Sequence, residues 1–391
     1  MRELQGLVCL ALLASACGAP AGAPADAAVT PDAAAPDAAA FGFVPSNVPM
    51  GAVPGEPLED LVIGPGTCDG RSEITIDTDE RRLADCPALL DGVHYRFVEI
   101  TQRQGGTAAL LVTRSGQIEA GMRVSVRGKL PLVWLARDRI DIGGALGASA
   151  LGFAAPAGGS PPHPPTKGSG NGPGAGAGDG PGGGGGGSYC GPGGKGGPSS
   201  SGGANAGGPR YGNAEIVPLA GGSSGGNGGN WEAGAGGGAL QIVAGRRVAV
   251  LPTGVVHAGG GGGEREGGGG GSGGAILLEA PTVIVGGILA ANGGGGGSGG
   301  EAGTDATPDD RAAAGGGAVH LNLGEGGSGA AGAIVDGGEG RSNPDFVNGD
   351  FSGGGGGCAG YLRINGEAIV TGTLSPALGT PCASIGTLGQ R

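Results

Sequence analysis

Residues 239–258 read ALQIVAGRRVAVLPTGVVHA, and residues 275–292 read AILLEAPTVIVGGILAAN. Each segment starts with a short apolar stretch ending in Ala, turns at a polar or Pro-containing corner, and continues with a second stretch rich in Val or Ile. A third copy, PLVWLARDRIDIGGALGAS, occupies residues 131–149, and two weaker copies occupy residues 318–337 and 359–376. These related units predict short strands that recur along the chain.

Alignment of the copies on Ala136, Ala244 and Ala280 predicts columns of inward-facing side chains. Two columns follow from the strongest copies, and the same phase extends them into the weaker ones: Leu132, Leu240 and Ile276; Trp134, Ile242 and Leu278; Val319, Leu321 and Leu323 in the fourth copy; Leu362 and Ile364 in the fifth. The positions between them are mostly polar, so the sequence predicts one buried face and one solvated face.

A unit of two short strands cannot bury its own apolar face and gains stability by stacking on the next copy. We therefore predict an all-β chain built as a parallel β-helix-like solenoid with long glycine-rich insertions. Residues 56–155 are expected to form a β-rich N-terminal cap and the first coils, and residues 236–391 the later coils and a C-terminal cap. Residues 156–235 form a Gly/Pro-rich low-complexity segment between them.

Glycine supplies 101 of the 391 residues, against a usual share of roughly 7 per cent. Free glycine-rich chain is flexible, because glycine loses the most entropy on ordering. Packed side by side, such tracts could instead form extended, polyglycine-II-like helices that hydrogen-bond to one another. We expect order close to the strands and disorder from residue 161 to residue 185, where Pro is frequent.

The N-terminus predicts export. Residues 1–16 have the short apolar stretch of a signal peptide, and residues 13–17, LASAC, resemble the lipobox of bacterial lipoproteins. That resemblance implies lipidation of Cys17 and, because residue 18 is Gly and not Asp, delivery to the outer membrane. The alternative is an ordinary secretory peptide cut near Ala16 or Ala19, which would release the protein. Residues 17–55, rich in Ala, Pro and Asp, are expected to be a disordered tether.

Five cysteines remain beyond the leader, in a compartment where disulfides persist. Cys68 and Cys86 flank one short β-like stretch, and Cys358 and Cys382 flank another. Local pairing of each couple is the simplest prediction and leaves Cys190 unpaired. A bond between Cys190 and Cys358 is an open alternative, because spacing alone does not fix connectivity.

Three pieces of the chain carry a family resemblance. They are the lipobox with the tether TPDAAAPDAAA, the run from ITIDTDE to GMRVSVRGKLPLVWLARDRIDIGGALGAS, and FSGGGGGCAGYLRINGEAIVTGTLSP near the end. With these pieces the chain resembles the glycine-rich, PGRS-like cell-surface lipoproteins of myxobacteria. The resemblance implies a surface location and a structural or adhesive role, and it implies no known reaction.

No catalytic constellation emerges, so we predict that the protein is not an enzyme and needs no cofactor. The net charge of −12 repels phosphate backbones and argues against nucleic acid as a partner. Asp345, Asn348 and Asp350 could supply oxygen ligands to calcium, although an ordinary polar turn is the simpler interpretation. His257 and His320 lie on strand-like segments, but a metal site would require further ligands.

The sequence therefore predicts a lipid-anchored structural or adhesive protein of the outer membrane or cell surface. Its partners would be the membrane, through the lipid, and surface polysaccharide or other envelope proteins. The alternative function is a polysaccharide-binding or polysaccharide-processing protein, which rests on analogy with known β-helix architectures.

Overall fold

The computed structural model describes residues 41–49, 51–55, 59–166, 168–178, 182–199, 203–229, 231–317, 324–342 and 352–389. These residues contain no helix. Their strands are β1 (Leu61–Ile63), β2 (Glu73–Asp77), β3 (Arg82–Ala84), β4 (Arg96–Thr101), β5 (Thr107–Thr113), β6 (Gly116–Ile118), β7 (Arg123–Arg127), β8 (Leu132–Ala136), β9 (Arg139–Ile142), β10 (Ala145–Gly147), β11 (Ala239–Ala244), β12 (Arg247–Val250), β13 (Val255–His257), β14 (Ala275–Val285), β15 (Ile288–Ala290), β16 (Tyr361–Val370), β17 (Thr373–Ser375) and β18 (Ala383–Gly386).

The strands form two curled sheets. The larger has 11 strands, with the order β1-β6-β9-β12-β14-β11-β8-β5-β4, and β16 pairs with both β14 and β18. The smaller has the order β17-β15-β13-β10-β7-β2-β3. Strand β14 joins two parts of the large sheet, because residues 275–279 pair with β11 and residues 282–285 pair with β12. The inner faces of both sheets share one apolar core.

The predicted parallel β-helix-like solenoid is wrong, although the all-β class is correct. The sheets are mixed and curl into a half-barrel, because β2 pairs with β3 and β4 with β5 in the antiparallel sense. Tight connections explain these hairpins: the β4–β5 turn contains Gly105 and Gly106, both at positive φ, and a short connection can join only antiparallel neighbours.

The predicted inward columns are confirmed at the level of strand register. Leu240 pairs with Leu132 and with Ile276, and Ile242 pairs with Trp134 and with Leu278. The fifth copy continues both columns, because Leu362 and Ile364 pair with β14. The fourth copy does not lie between them, since β14 and β16 are direct neighbours. Its residues 318–323 lie outside the described residues, and the described residues 324–337 form no strand.

The outer face of β8, β11 and β14 is not solvated, which corrects the second half of the prediction. Val133, Val243 and Leu277 are fully buried on that face. A second apolar cluster covers them, and its members come from distant parts of the chain: Phe41, Phe43, Val48, Val53, Tyr189, Ile216 and Leu219. The sheet is therefore buried on both faces at this point, as parallel sheets commonly are.

Candidate functional site

The glycine-rich residues pack beside the sheets as a hydrogen-bonded bundle. Successive amides of residues 183–188 point at three neighbouring tracts, and the direction repeats every third residue. The bonds run from Gly183 N to Gly197 O, Gly184 N to Gly267 O, Gly185 N to Ala177 O, Gly186 N to Gly194 O, Gly187 N to Gly270 O and Ser188 N to Gly174 O. A chain with three residues per turn and no internal hydrogen bonds has this period. We name the described glycine-rich tracts within residues 157–238, 258–274, 291–342 and 352–360 the glycine bundle.

Three parallel tracts form the centre of the glycine bundle, and each bonds to the other two. Gly187 N donates to Gly270 O, Gly273 N donates to Cys358 O, and Cys358 N donates to Gly187 O. The same cycle repeats one turn earlier through residues 184, 267, 270 and 355. Backbone amides and carbonyls thus find partners away from water, as buried backbone groups must.

Close backbone contact explains why these positions are glycine. A Cβ added to Gly185 would overlap the carbonyl of Ala206, and one added to Gly271 would overlap the carbonyl of Ala235. The predicted disorder of residues 161–185 is wrong for residues 182–185, which are buried and bonded to neighbouring tracts. Hydrogen bonds to those tracts offset the entropy that glycine loses on ordering.

Two disulfides fix the fold. The predicted bond between Cys68 and Cys86 is confirmed. Cys382 bonds to Cys190, not to Cys358 as predicted, and the alternative bond from Cys190 to Cys358 is also wrong. Cys358 is a free, buried thiol inside the glycine bundle. Since Cys190 follows a bundle tract and Cys382 immediately precedes β18, the second disulfide ties the glycine bundle to the large sheet.

Three tyrosines line the junction between the glycine bundle and the large sheet. The ring centre of Tyr189 lies 4.5 Å from that of Tyr211 and 4.8 Å from that of Tyr361. The Tyr189 hydroxyl donates to Ala220 O over 2.7 Å. Burial raises the pKa of Tyr189 and of Tyr211 well above the usual value near 10, so these phenols stay neutral and serve as packing and hydrogen-bonding groups.

Cys358, next to these rings, is an unreactive thiol. Its Sγ accepts a hydrogen bond from Tyr189 N at 2.8 Å. Burial raises the pKa of the thiol to about 12. Since the thiolate is the reactive form of cysteine, this residue is a structural group at neutral pH.

A cleft of about 450 Å³ opens where the β4–β5 turn meets the glycine bundle. Its lining combines apolar residues, among them Pro131, Pro173, Pro218 and Leu219, with the polar side chains of Gln102, Gln104, Thr107, Lys129, Ser160 and Tyr211. Gln102 is occupied structurally, because its amide accepts from Leu219 N at 2.8 Å and donates to Leu219 O at 3.1 Å. Gln104 and Lys129 are exposed and are available to a ligand.

Glu279 is fully buried. It is the one carboxylate within the first strands of the aligned copies. Its stack neighbours are Val243 and Asn365, so it has no carboxylate partner for acid–base catalysis of the glycosidase kind. It instead accepts hydrogen bonds from four donors: Ser46 N (3.1 Å), Ser46 Oγ (2.6 Å), Gln241 Nε2 (2.5 Å) and Asn365 Nδ2 (3.0 Å). Glu279 therefore fastens the covering segment that contains Ser46 to the outer face of the sheet.

Substitution of Glu279 by Gln is expected to lower the free energy of unfolding by about 2 to 3 kcal/mol. The NH₂ group of the new amide would face N–H and O–H donors where a carboxylate oxygen now accepts their hydrogen bonds. Urea denaturation of the purified chain measures the change. Glu367→Gln, on an exposed part of β16, is the matched control and should leave stability within about 0.5 kcal/mol of the original. Equal effects from the two variants would contradict the structural role of Glu279.

His257, at the end of β13, is a buried neutral side chain. Its Nε2 has no hydrogen-bond partner in the described part of the chain, and it faces Gly259 and Ala306. Burial lowers the pKa of His257 from 6.5 to about 4, with Asp309 acting weakly in the opposite direction. The ring is thus held in an apolar setting, without the ligand geometry of a metal site.

Acidification should therefore weaken the fold through His257. Between about pH 6.5 and pH 4 the unfolded chain binds a proton at His257 that the folded chain does not. The contribution of neutral His257 to the free energy of unfolding is therefore fully present above about pH 6.5, and about 3 kcal/mol is lost when the pH reaches 4. Denaturation curves across this range test it. His257→Gln should remove this part of the pH dependence, whereas a substitution at the partly buried His163, His163→Gln, should retain it. A parallel pH profile for wild type and His257→Gln would refute the assignment.

Several predicted site residues lie outside the described residues: Cys17, Asp345, Asn348, Asp350 and His320. Among the described residues, no group of three or more His, Cys, Asp or Glu side chains is placed to hold a metal ion. A search of the same residues for a helix long and apolar enough to cross a membrane also finds none.

The tyrosine junction and one charged cleft were missed by sequence reasoning. Asp138, Arg139, Arg246 and Arg247 line a cleft of about 260 Å³, in which Arg247 bonds Asp141 at 2.8 Å. The sequence does contain a signal for this charged cleft, because ARDR and AGRR occupy the same corner of two aligned copies. The tyrosines had a weaker signal: SYC and CAGY each place a tyrosine within three residues of a cysteine at the end of a glycine tract. Comparison of the whole chain with protein-family models, curated proteins and solved structures gives no match.

Proposed function

We propose that this protein is an exported structural protein of the cell surface, in which a rigid glycine bundle is displayed on a lipid anchor. The observation that carries the proposal is the threefold hydrogen bonding of the glycine bundle. Such a body is held by backbone groups in contact, so it offers stiffness and resistance to proteases with few reactive side chains. These are the properties of a spacer or an adhesive coat.

The disulfides support an extracytoplasmic location. Cys68–Cys86 and Cys190–Cys382 both need an oxidising compartment to persist. The expected tether does not extend to residue 55, because Phe41, Phe43, Val48 and Val53 are buried against the sheet. A lipid on Cys17, followed by a tether that ends near residue 40, would hold the folded body at a distance from the outer membrane. If the lipobox is not used, the same body would be secreted.

Protease treatment of intact cells tests the location. We expect release of peptides from residues beyond Ala40, while an acylated fragment containing Cys17 stays in the membrane, as mass spectrometry of both fractions would show. Protection of the whole chain in intact cells, with digestion after lysis, would contradict surface display.

The structural role is tested in a deletion strain complemented with variants. Wild type and Gly147→Ala, whose added Cβ meets no atom within 4 Å, should restore surface texture and cohesion in microscopy. Gly271→Ala, whose Cβ would overlap the carbonyl of Ala235, should not. Unchanged cell surfaces in the deletion strain would count against a structural or adhesive role.

The second candidate function is polysaccharide binding in the cleft at the β4–β5 turn. Exposed Gln104 and Lys129, with the hydroxyls of Thr107 and Ser160, provide donors and acceptors of the kind that sugars use. A glycan array probed with the full chain tests this function, and Gln104→Ala with Lys129→Ala should remove any genuine signal. Lys195→Ala, an exposed lysine elsewhere, is the control. Binding that survives the double substitution would exclude the cleft.

A further inference from the structure

The two sheets end in free strand edges on the side of the C-terminal strands. We name this side the end face and define it by β17, β18 and residues 367–370 of β16. Each of these segments pairs with one neighbour only: β17 with β15, β18 with β16, and residues 367–370 with β14. Within the described residues no strand pairs with their other edges, so unpaired backbone groups are available there.

One column of core side chains also ends at this face without a cover. Ile385 continues the column of Ile364 by register, yet its side chain is 48% exposed, whereas Ile364 is 1% exposed. Ala368 and Val370 face the core but are only partly buried. Ile369, at 48%, and Leu378, at 43%, add exposed apolar area nearby.

The opposite end of the sheets is protected by the usual devices. The described edge strands at that end are β1, β3 and β4. Strands β3 and β4 belong to antiparallel hairpins and carry the charged residues Arg82, Arg96 and Glu99, whereas β1 is buried at Leu61 and Ile63. The Cys68–Cys86 disulfide fastens this end. Charges on an edge strand oppose pairing with another chain, so this end does not offer a complementary surface for a head-to-tail contact.

Charge distinguishes the end face from the rest of the molecule. The chain carries a net charge of −12, so two copies repel each other over most of their surface. Residues 371–389, TGTLSPALGTPCASIGTLG, contain no charged side chain. The end face carries one charged residue, Glu367, and is otherwise uncharged, so two copies can approach each other there with little charge repulsion.

We propose that the end face binds a second copy of this chain through a two-fold axis. In this dimer residues 367–370 of the two copies pair as antiparallel strands, with Ile369 of one copy opposite Ile369 of the other and Ala368 opposite Val370. The core-facing side chains of both copies then share one face, and the two Glu367 carboxylates stay apart. The symmetry also sets β17 of each copy beside β18 of the other. A two-fold contact uses the same patch on both copies and closes at two, which a head-to-tail contact would not.

Sedimentation velocity of the purified full chain tests the proposal. We expect a species of twice the chain mass at about 100 µM protein. Ile369→Lys places like charges across the axis, and Ile385→Lys buries a charge against the uncharged β17 of the other copy. Each should weaken association by at least about tenfold. Leu90→Lys, at a leucine that is 52% exposed outside the end face, is the matched control and should dimerise as wild type does. Since all three side chains are exposed, circular dichroism should show unchanged folding.

A second measurement fixes the geometry. Because Ile369 lies next to the proposed axis, Ile369→Cys should form an intermolecular disulfide under mild oxidation, visible as a dimer on a non-reducing gel. Leu90→Cys should not. Monomeric wild type at this concentration, a larger open-ended assembly, or equal weakening by Leu90→Lys would each overturn the proposal.

Discussion

Removal of the Cys190–Cys382 disulfide by the double substitution Cys190→Ala and Cys382→Ala is expected to cost about 5 kcal/mol of folding stability. The two cysteines are 192 residues apart, and the entropy that a cross-link removes from the unfolded chain grows with the length of the closed loop. Since natural domains are stable by about 5 to 15 kcal/mol, the variant should be close to unfolding at growth temperature.

The comparison with the other disulfide makes this test specific. Cys68 and Cys86 are 18 residues apart, so their replacement by alanine should cost only about 3 kcal/mol on the same reasoning. Chemical denaturation under non-reducing conditions, with Cys358 left intact in both variants, measures the two values. A larger loss from the short loop than from the long one would show that loop closure does not dominate the contribution of Cys190–Cys382.

Substitution of Gly271 by Ala is the second change with a large expected effect. The added methyl would overlap the carbonyl of Ala235, and the backbone on both sides is buried and hydrogen-bonded within the glycine bundle. Overpacking of this kind costs about 3 kcal/mol or more when the surroundings cannot move. Thermal unfolding should show a fall in Tm of roughly 4 °C, because the unfolding entropy of about 2 cal/mol/K per residue is large for a chain of this length.

The matched control separates close contact from the general effect of losing a glycine. Gly147→Ala lies in β10, where the added methyl meets no atom within 4 Å, and should be neutral or slightly stabilising because alanine has less freedom when unfolded. If Gly271→Ala were as stable as Gly147→Ala, the inference that the glycine bundle is densely packed around Gly271 would be wrong.

The strand columns could be predicted because two patterns indicate the same inward positions. One is the alternation of side chains along each strand, and the other is the repetition of the unit along the chain. Leu240 and Ile242 stand at fixed distances from Ala244, as their counterparts do from Ala136 and Ala280. The covering of the outer face could not be predicted in this way. Phe41 and Ile216, which lie on it, are distant in sequence, and nothing in the strand pattern marks a partner from elsewhere in the chain.

The Cys190–Cys382 bond and the order of residues 182–185 could not be predicted for a related reason. Neighbouring cysteines pair most easily in the unfolded chain, yet Cys190 and Cys382 meet only because the glycine bundle brings residue 190 back to the large sheet. Composition alone makes glycine tracts either flexible or ordered, and the order depends on several tracts being present together. The hairpins β2–β3 and β4–β5 were missed because a repeat search gives no information on strand direction.

The direction of each amide in the glycine bundle changes with a period of three, which gives every tract a phase as well as a length. Deleting one glycine from residues 183–188 would turn each following N–H toward the wrong neighbour, whereas deleting three would shift the tract along its axis and preserve every direction. Insertions and deletions during the evolution of this protein should therefore be tolerated in the tracts mainly in multiples of three residues. A need for glycine alone would restrict only the composition of these segments. The glycine bundle also requires that their length change in steps of three residues.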